Sequence, residues 1–117
     1  MEKLQSSRKV FYLSIFYTLN VTDIGSMFAN CSSLVGLNLS NLNLSNATDM
    51  VSMFWGCSSF TYLDMRNVDF SRVTSVTGMF DGSISSNITI IVKDTTAQTI
   101  IQNALTEYGV IGTVVIA

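Results

Sequence analysis

Apolar residues recur in this chain at two spacings, and the whole pattern repeats every 26 residues. Ile24, Met27, Phe28, Cys31 and Leu34 fall near helical spacing, which predicts one or two helical turns over residues 23–30. Thr22 or Asp23 would supply the N-cap oxygen that so short a helix needs. Leu37-Asn38-Leu39 alternates with period two and reads as a short strand. Asn41 then takes a turn or ladder position, its amide able to bond the backbone of a neighbouring unit. Leu42 and Leu44 alternate again and close the unit.

The repeat itself is the strongest organising signal. Residues 21–46 and 47–72 align without a gap, with eleven identities in 26 positions. Thr22/Thr48, Asp23/Asp49, Met27/Met53, Phe28/Phe54, Cys31/Cys57, Leu37/Leu63 and Asn41/Asn67 are among the coincident pairs. The second copy closes with Leu63, Met65, Val68 and Phe70. A third copy, over 73–92, keeps Thr74, Met79, Phe80 and Gly82 in register and then drifts by about one residue. A partial copy precedes the first, with Phe11, Leu13 and Phe16 lying 26 residues before Leu37, Leu39 and Leu42. A period in this range predicts a solenoid whose units bury their apolar sides against each other.

The C-terminal residues, 93–117, predict a cap. Ile88, Ile90 and Val92 alternate as a last repeat strand. Ala97, Ile100, Ile101, Ala104, Leu105 and Tyr108 then form one helical stripe. Asp94 or Thr95 would cap that helix and Gly109 would end it, before a final strand over 113–116. The helix is expected to lie across the open end of the last unit. Residues 1–20 hold four of the fourteen charges and a partial repeat, and offer no cap comparable to the C-terminal one; either the charged segment folds into a makeshift helical cap with Leu4 packing inward, or the edge is bare. A bare N-terminal edge would allow a homodimer, or continuation into a longer solenoid.

Composition narrows the function. The chain has 117 residues, enough for one domain over 1–117. Only 12% of residues are charged against 48% apolar, and net charge is −2. This balance argues against a nucleic-acid partner, which wants a basic surface. There is no His, so histidine-based catalysis and metal binding are excluded. No Gly-rich phosphate loop or catalytic constellation is present, so no enzyme, cofactor or metal site is expected. Ser, Thr and Asn fill the outer slots because like charges stacked in register repel. The basic pair Arg8-Lys9 before the apolar run 10–17 imitates a signal peptide, but no small-x-small cleavage site follows.

The unit V-T-D-x-x-x-M-F-x-x-C-S-S-L-x-x-L-x-L-S-N, nearly complete in residues 21–41 and 48–67, resembles the repeat of BspA-like leucine-rich-repeat surface proteins. The ending IIVKDTTAQTIIQNAL is similar to the way such arrays finish. The resemblance implies an α/β leucine-rich-repeat-like solenoid of short helices and short parallel strands, with a C-terminal helix-plus-strand cap. It further implies a cell-surface or secreted module that adheres to a host or matrix protein or glycan, without catalysis. The alternative is a structural cap or spacer of a larger surface or appendage protein.

On that fold, the solvent side of the strands is the candidate ligand face. It comprises Tyr12 and Ser14, Gly36, Asn38 and Ser40, then Tyr62, Asp64 and Arg66. Tyr and Arg are residue types enriched in binding hot spots. Trp55 occupies a slot held by Ala29 and Asp81 in the other copies, a position that tolerates charge and is expected to be exposed. Cys31 and Cys57 are expected as a buried thiol ladder, and the methionines and phenylalanines as core. Asp23 and Asp49 read as helix caps rather than as a cation pair, because Ca²⁺ wants more oxygens than two carboxylates supply.

Overall fold

The computed structural model describes residues 24–40, 44–82 and 87–117. Their organising element is a parallel sheet in the order β1 (Gly36–Asn38), β2 (Tyr62–Asp64), β3 (Ile88–Val92) and β4 (Gly112–Ile116). Leu37 pairs with Leu63, and Leu63 with Ile90. The first step spans 26 residues and the second 27, so the extra residue expected in the third copy falls between Gly82 and Ile88. Leu37, Leu63 and Ile90 point inward and are buried. Asn38 and Tyr62 lie on the other side, as period-two alternation demands.

The helical turns expected over 23–30 do not form among the described residues. A chain of tight turns takes their place, and its logic lies in the backbone hydrogen bonds. Alternate N–H groups leave the segment altogether: Ile24 donates to the Asp49 carbonyl, Ser26 to Val51, Phe28 to Met53 and Asn30 to Trp55. The N–H groups between them close local turns, Met27 to Ile24, Ala29 to Ser26 and Cys31 to Phe28. The next copy repeats this: Ser52 donates to Thr77, Phe54 to Met79 and Gly56 to Asp81. An α-helix would spend these donors on carbonyls four residues back. Positive φ at Ser26, Asn30, Ser52 and Gly56 also excludes a helix and fits turns of type II. The apolar spacing misled because tandem turns bury the same residues that a helix would. Ile24, Met27, Phe28, Cys31 and Leu34 are all buried.

The turn ladder and the sheet enclose one core. Phe28, Phe54 and Phe80 form a ring stack through it, with centroids 5.7 and 5.9 Å apart and planes within 12°. Each such aromatic pair contributes about 0.5–1.5 kcal/mol beyond the area it buries. Met27, Met53 and Met79 stand beside the rings, all nearly inaccessible. Asn67 performs the ladder role expected of its position: its Nδ2 donates to the Leu39 carbonyl at 2.9 Å. The equivalent Asn41 lies outside the described residues.

The C-terminal element has the expected form. Helix α1 (Thr95–Glu107) buries Ala97, Ile101, Ala104 and Leu105. Asp94 caps its start, its Oδ1 accepting the Ala97 N–H at 3.0 Å. At its end Gly109 takes a φ of +68°, while the Val110 N–H reaches the Leu105 carbonyl and the Gly109 N–H reaches Thr106. Those two bonds define a Schellman closure. Gln98 Nε2 donates to the Val114 carbonyl of β4, and the Gly78 N–H donates to the Tyr108 hydroxyl. These bonds tie α1 to the final strand and to the third turn unit.

Candidate functional site

Period-two alternation places two rows of residues on the solvent side of the sheet. The first row runs Gly36, Tyr62, Thr89, Thr113, and the second Asn38, Asp64, Ile91, Val115. Tyr62 is 37% exposed and leans over its neighbour: a Cβ added to Gly36 would touch the Tyr62 ring at 3.8 Å. The missing side chain at Gly36 therefore gives the phenol its bed. Thr89 flanks Tyr62 on the other side. The 27-residue step conceals this neighbour from a 26-residue alignment, which would set Ile88 there instead.

Asp64 is not presented to solvent, contrary to its expected place on the open face. It is 2% exposed. Its carboxylate receives Arg66 in a fork: Nε reaches the two oxygens at 3.0 and 3.1 Å and Nη2 reaches Oδ2 at 2.8 Å. The Arg66 N–H adds a bond to Oδ1. This hydrogen bonding and the adjacent negative charge raise the Arg66 pKa above its ordinary value. Almost half of the Arg66 side chain remains accessible. Arg66 thus covers Asp64 and presents the remainder of its guanidinium outward.

Asn38 is exposed, and its Oδ1 accepts the Ser40 N–H at 2.9 Å. Ser40 itself is half-buried. Trp55 is 42% exposed, but it belongs to the turn ladder and not to the sheet rows. The structure therefore brings Asn38, Tyr62 and Arg66 onto one face and leaves Trp55 apart. Tyr12 and Ser14 lie outside the described residues.

Cys31 and Cys57 are both buried, and neither forms a disulfide. Cys57 Sγ donates to the Phe28 carbonyl at 3.0 Å. Burial first, and the neighbouring Cys31 thiol second, together push the Cys57 thiol up to about 12. A thiol held in this state is a poor nucleophile. Asp49 Oδ1 accepts the Val51 N–H, which makes it the lock of a turn rather than of a helix. Its counterpart Asp23 lies outside the described residues. Among the described residues no group of three or more Cys, Asp or Glu converges as a metal site. No helix among them is long and apolar enough to cross a membrane.

The family model described as "Mycoplasma protein of unknown function, DUF285" matches residues 1–108. The chain belongs to that family. No curated protein and no solved structure matches it.

Proposed function

We propose that the chain is a leucine-rich-repeat-like solenoid of the BspA-like kind, and that it is a non-enzymatic binding module. The observation that carries this reading is the register of the parallel sheet, in which corresponding residues of successive copies pair as Leu37, Leu63 and Ile90. That register turns a sequence repeat into a continuous face. Asn38, Tyr62, Thr89 and the outer side of Arg66 form its centre. Tyr62 supplies a large, nearly rigid contact with a polar tip, and Arg66 a charge already oriented by Asp64. The partner is a host or matrix protein or a glycan, met at the cell surface or after secretion.

The test is binding of the full chain to a panel of immobilised matrix proteins and glycans. Tyr62→Ala is expected to weaken any interaction found by at least about tenfold, the loss of one hot-spot side chain. Unchanged binding by a folded Tyr62→Ala protein contradicts the face assignment. Arg66→Ala is the less clean probe, because it also strips the buried Asp64 of its partner. The alternative reading, a terminal cap of a larger surface protein, draws on α1 and β4, which close one end of the core. In that case the panel yields no binding that depends on Tyr62.

A further inference from the structure

The outer edge of β4 is built differently from the rest of the sheet. The Ile88 N–H donates to the Ile111 carbonyl, and the Ala117 N–H to the Val92 carbonyl. Backbone groups of alternate residues in a strand point to the same side, so those of Thr113 and Val115 also face β3. The N–H and C=O groups of Gly112, Val114 and Ile116 therefore face the other way. Among the described residues β3 is the only strand paired with β4. Such an edge is a template for strand addition, and proteins usually blunt it with charge, Pro or a bulge. Residues 108–117 hold no charged side chain and no Pro. Ile111, Val115 and Ile116 are among the most exposed large apolar residues described, at 67%, 43% and 40%. One polar group does stand guard. The Gln98 amide of α1 reaches the Val114 carbonyl, the central acceptor of that edge, at 2.9 Å.

We propose that the β4 edge pairs antiparallel with β4 of a second copy of this chain, and that Gln98 restrains this pairing by occupying the Val114 carbonyl. The occupant follows from the edge. A two-fold axis at Val114 sets Val114 against Val114 and Gly112 against Ile116, so the outward groups of each strand meet outward groups of its copy. No like-charged side chains face each other across that axis. The pairing also sets the exposed Val115 beside Thr113 of the second copy, and it joins two four-stranded sheets into one. An isologous pair closes on itself, so assembly stops at the dimer. Each copy must release its Gln98 bond before pairing, which keeps the dimer weak.

Sedimentation velocity of the full chain at rising concentration tests this. The wild type is expected to move between monomer and dimer. Gln98→Ala removes the competing bond in both copies and is expected to tighten the dimer by about tenfold. Ile116→Pro removes an N–H that faces the open edge while keeping every β3–β4 bond, and is expected to remain a monomer. Amide exchange on the wild type provides a measurement without substitutions. The Val114 and Ile116 N–H groups should become protected as concentration rises, while the already bonded Val115 N–H does not change. A wild type and Gln98→Ala that both stay monomeric overturn the proposal. So does association that Ile116→Pro leaves intact, growth beyond the dimer, or edge amides indifferent to concentration. If Ile116→Pro abolishes the dimer but Gln98→Ala leaves it unaltered, the restraint assigned to Gln98 is refuted.

Discussion

The turn ladder, over residues 24–31, 50–57 and 76–82, and the C-terminal element of residues 93–117 both close the core, by opposite uses of the backbone. In the ladder, half of the N–H groups are given to the neighbouring copy, so no stretch holds its shape without the next. In α1, the donors are spent within the helix, and both ends are satisfied locally by Asp94 and by the Schellman closure. The ladder therefore depends on what stacks against it, whereas the helix carries its own order. The difference also appears in the side chains. The ladder presents identical residues in register, and Phe28, Phe54 and Phe80 stack because the backbone above and below is the same. The helix packs an unrelated stripe of Ala, Ile and Leu.

The deepest way to break the ladder is at its central ring. Phe54 touches Phe28, Phe60 and Phe80, so Phe54→Ala removes every one of those contacts at once. It is expected to cost about 3–5 kcal/mol, read as a lowered urea midpoint. Because the ladder is cooperative, strand signals from β1 and β2 should be lost in the same transition.

A smaller effect follows from Cys57. Its folded-state pKa of about 12 lies above the ordinary thiol value of 9.0. Between these limits the unfolded chain releases a proton that the folded chain retains. The thiol's contribution is thus complete below pH 9 and is lost as pH rises toward 12. The slope is at most about 1.4 kcal/mol per pH unit. Urea unfolding at several alkaline pH values measures it, and Cys57→Ala should flatten the slope. An equal slope in both proteins contradicts the buried-thiol account.

Two glycines with similar backbone geometry meet different surroundings in the ladder and at the helix end. Gly56 in the ladder and Gly109 at the helix end have nearly the same positive φ, +76° and +68°. A Cβ at Gly56 would sit 2.5 Å from Asn30 Oδ1 in the adjacent copy, whereas a Cβ at Gly109 meets nothing within 4 Å. Alanine at Gly109 should cost only the left-handed strain, about 1 kcal/mol, and at Gly56 about 2 kcal/mol. Thermal unfolding of the two variants side by side checks the order. A reversal would mean that the copies are not in close contact.

Core membership was legible in the sequence almost residue by residue, because burial depends on apolar spacing and the 26-residue period repeats it. The strand positions and the helix with its caps were legible too, since α1 follows local rules of periodicity and capping. The turn ladder was not. Its defining bonds join residues about 25 apart, and its apolar spacing imitates a helix; the positive φ at Ser26 and Ser52 has no glycine to announce it. The candidate face of the sheet was half visible. Tyr62 and Asn38 alternate outward as expected, but the burial of Asp64 depends on where the Arg66 side chain lies, and Thr89 was hidden by a one-residue shift.

The turn ladder is tested most directly by measuring scalar couplings across hydrogen bonds in a labelled sample. Coupling is expected from the Phe28 N–H to the Met53 carbonyl, and from the Phe54 N–H to the Met79 carbonyl. Coupling from the Phe54 N–H to the Met50 carbonyl, as an α-helix requires, would contradict it.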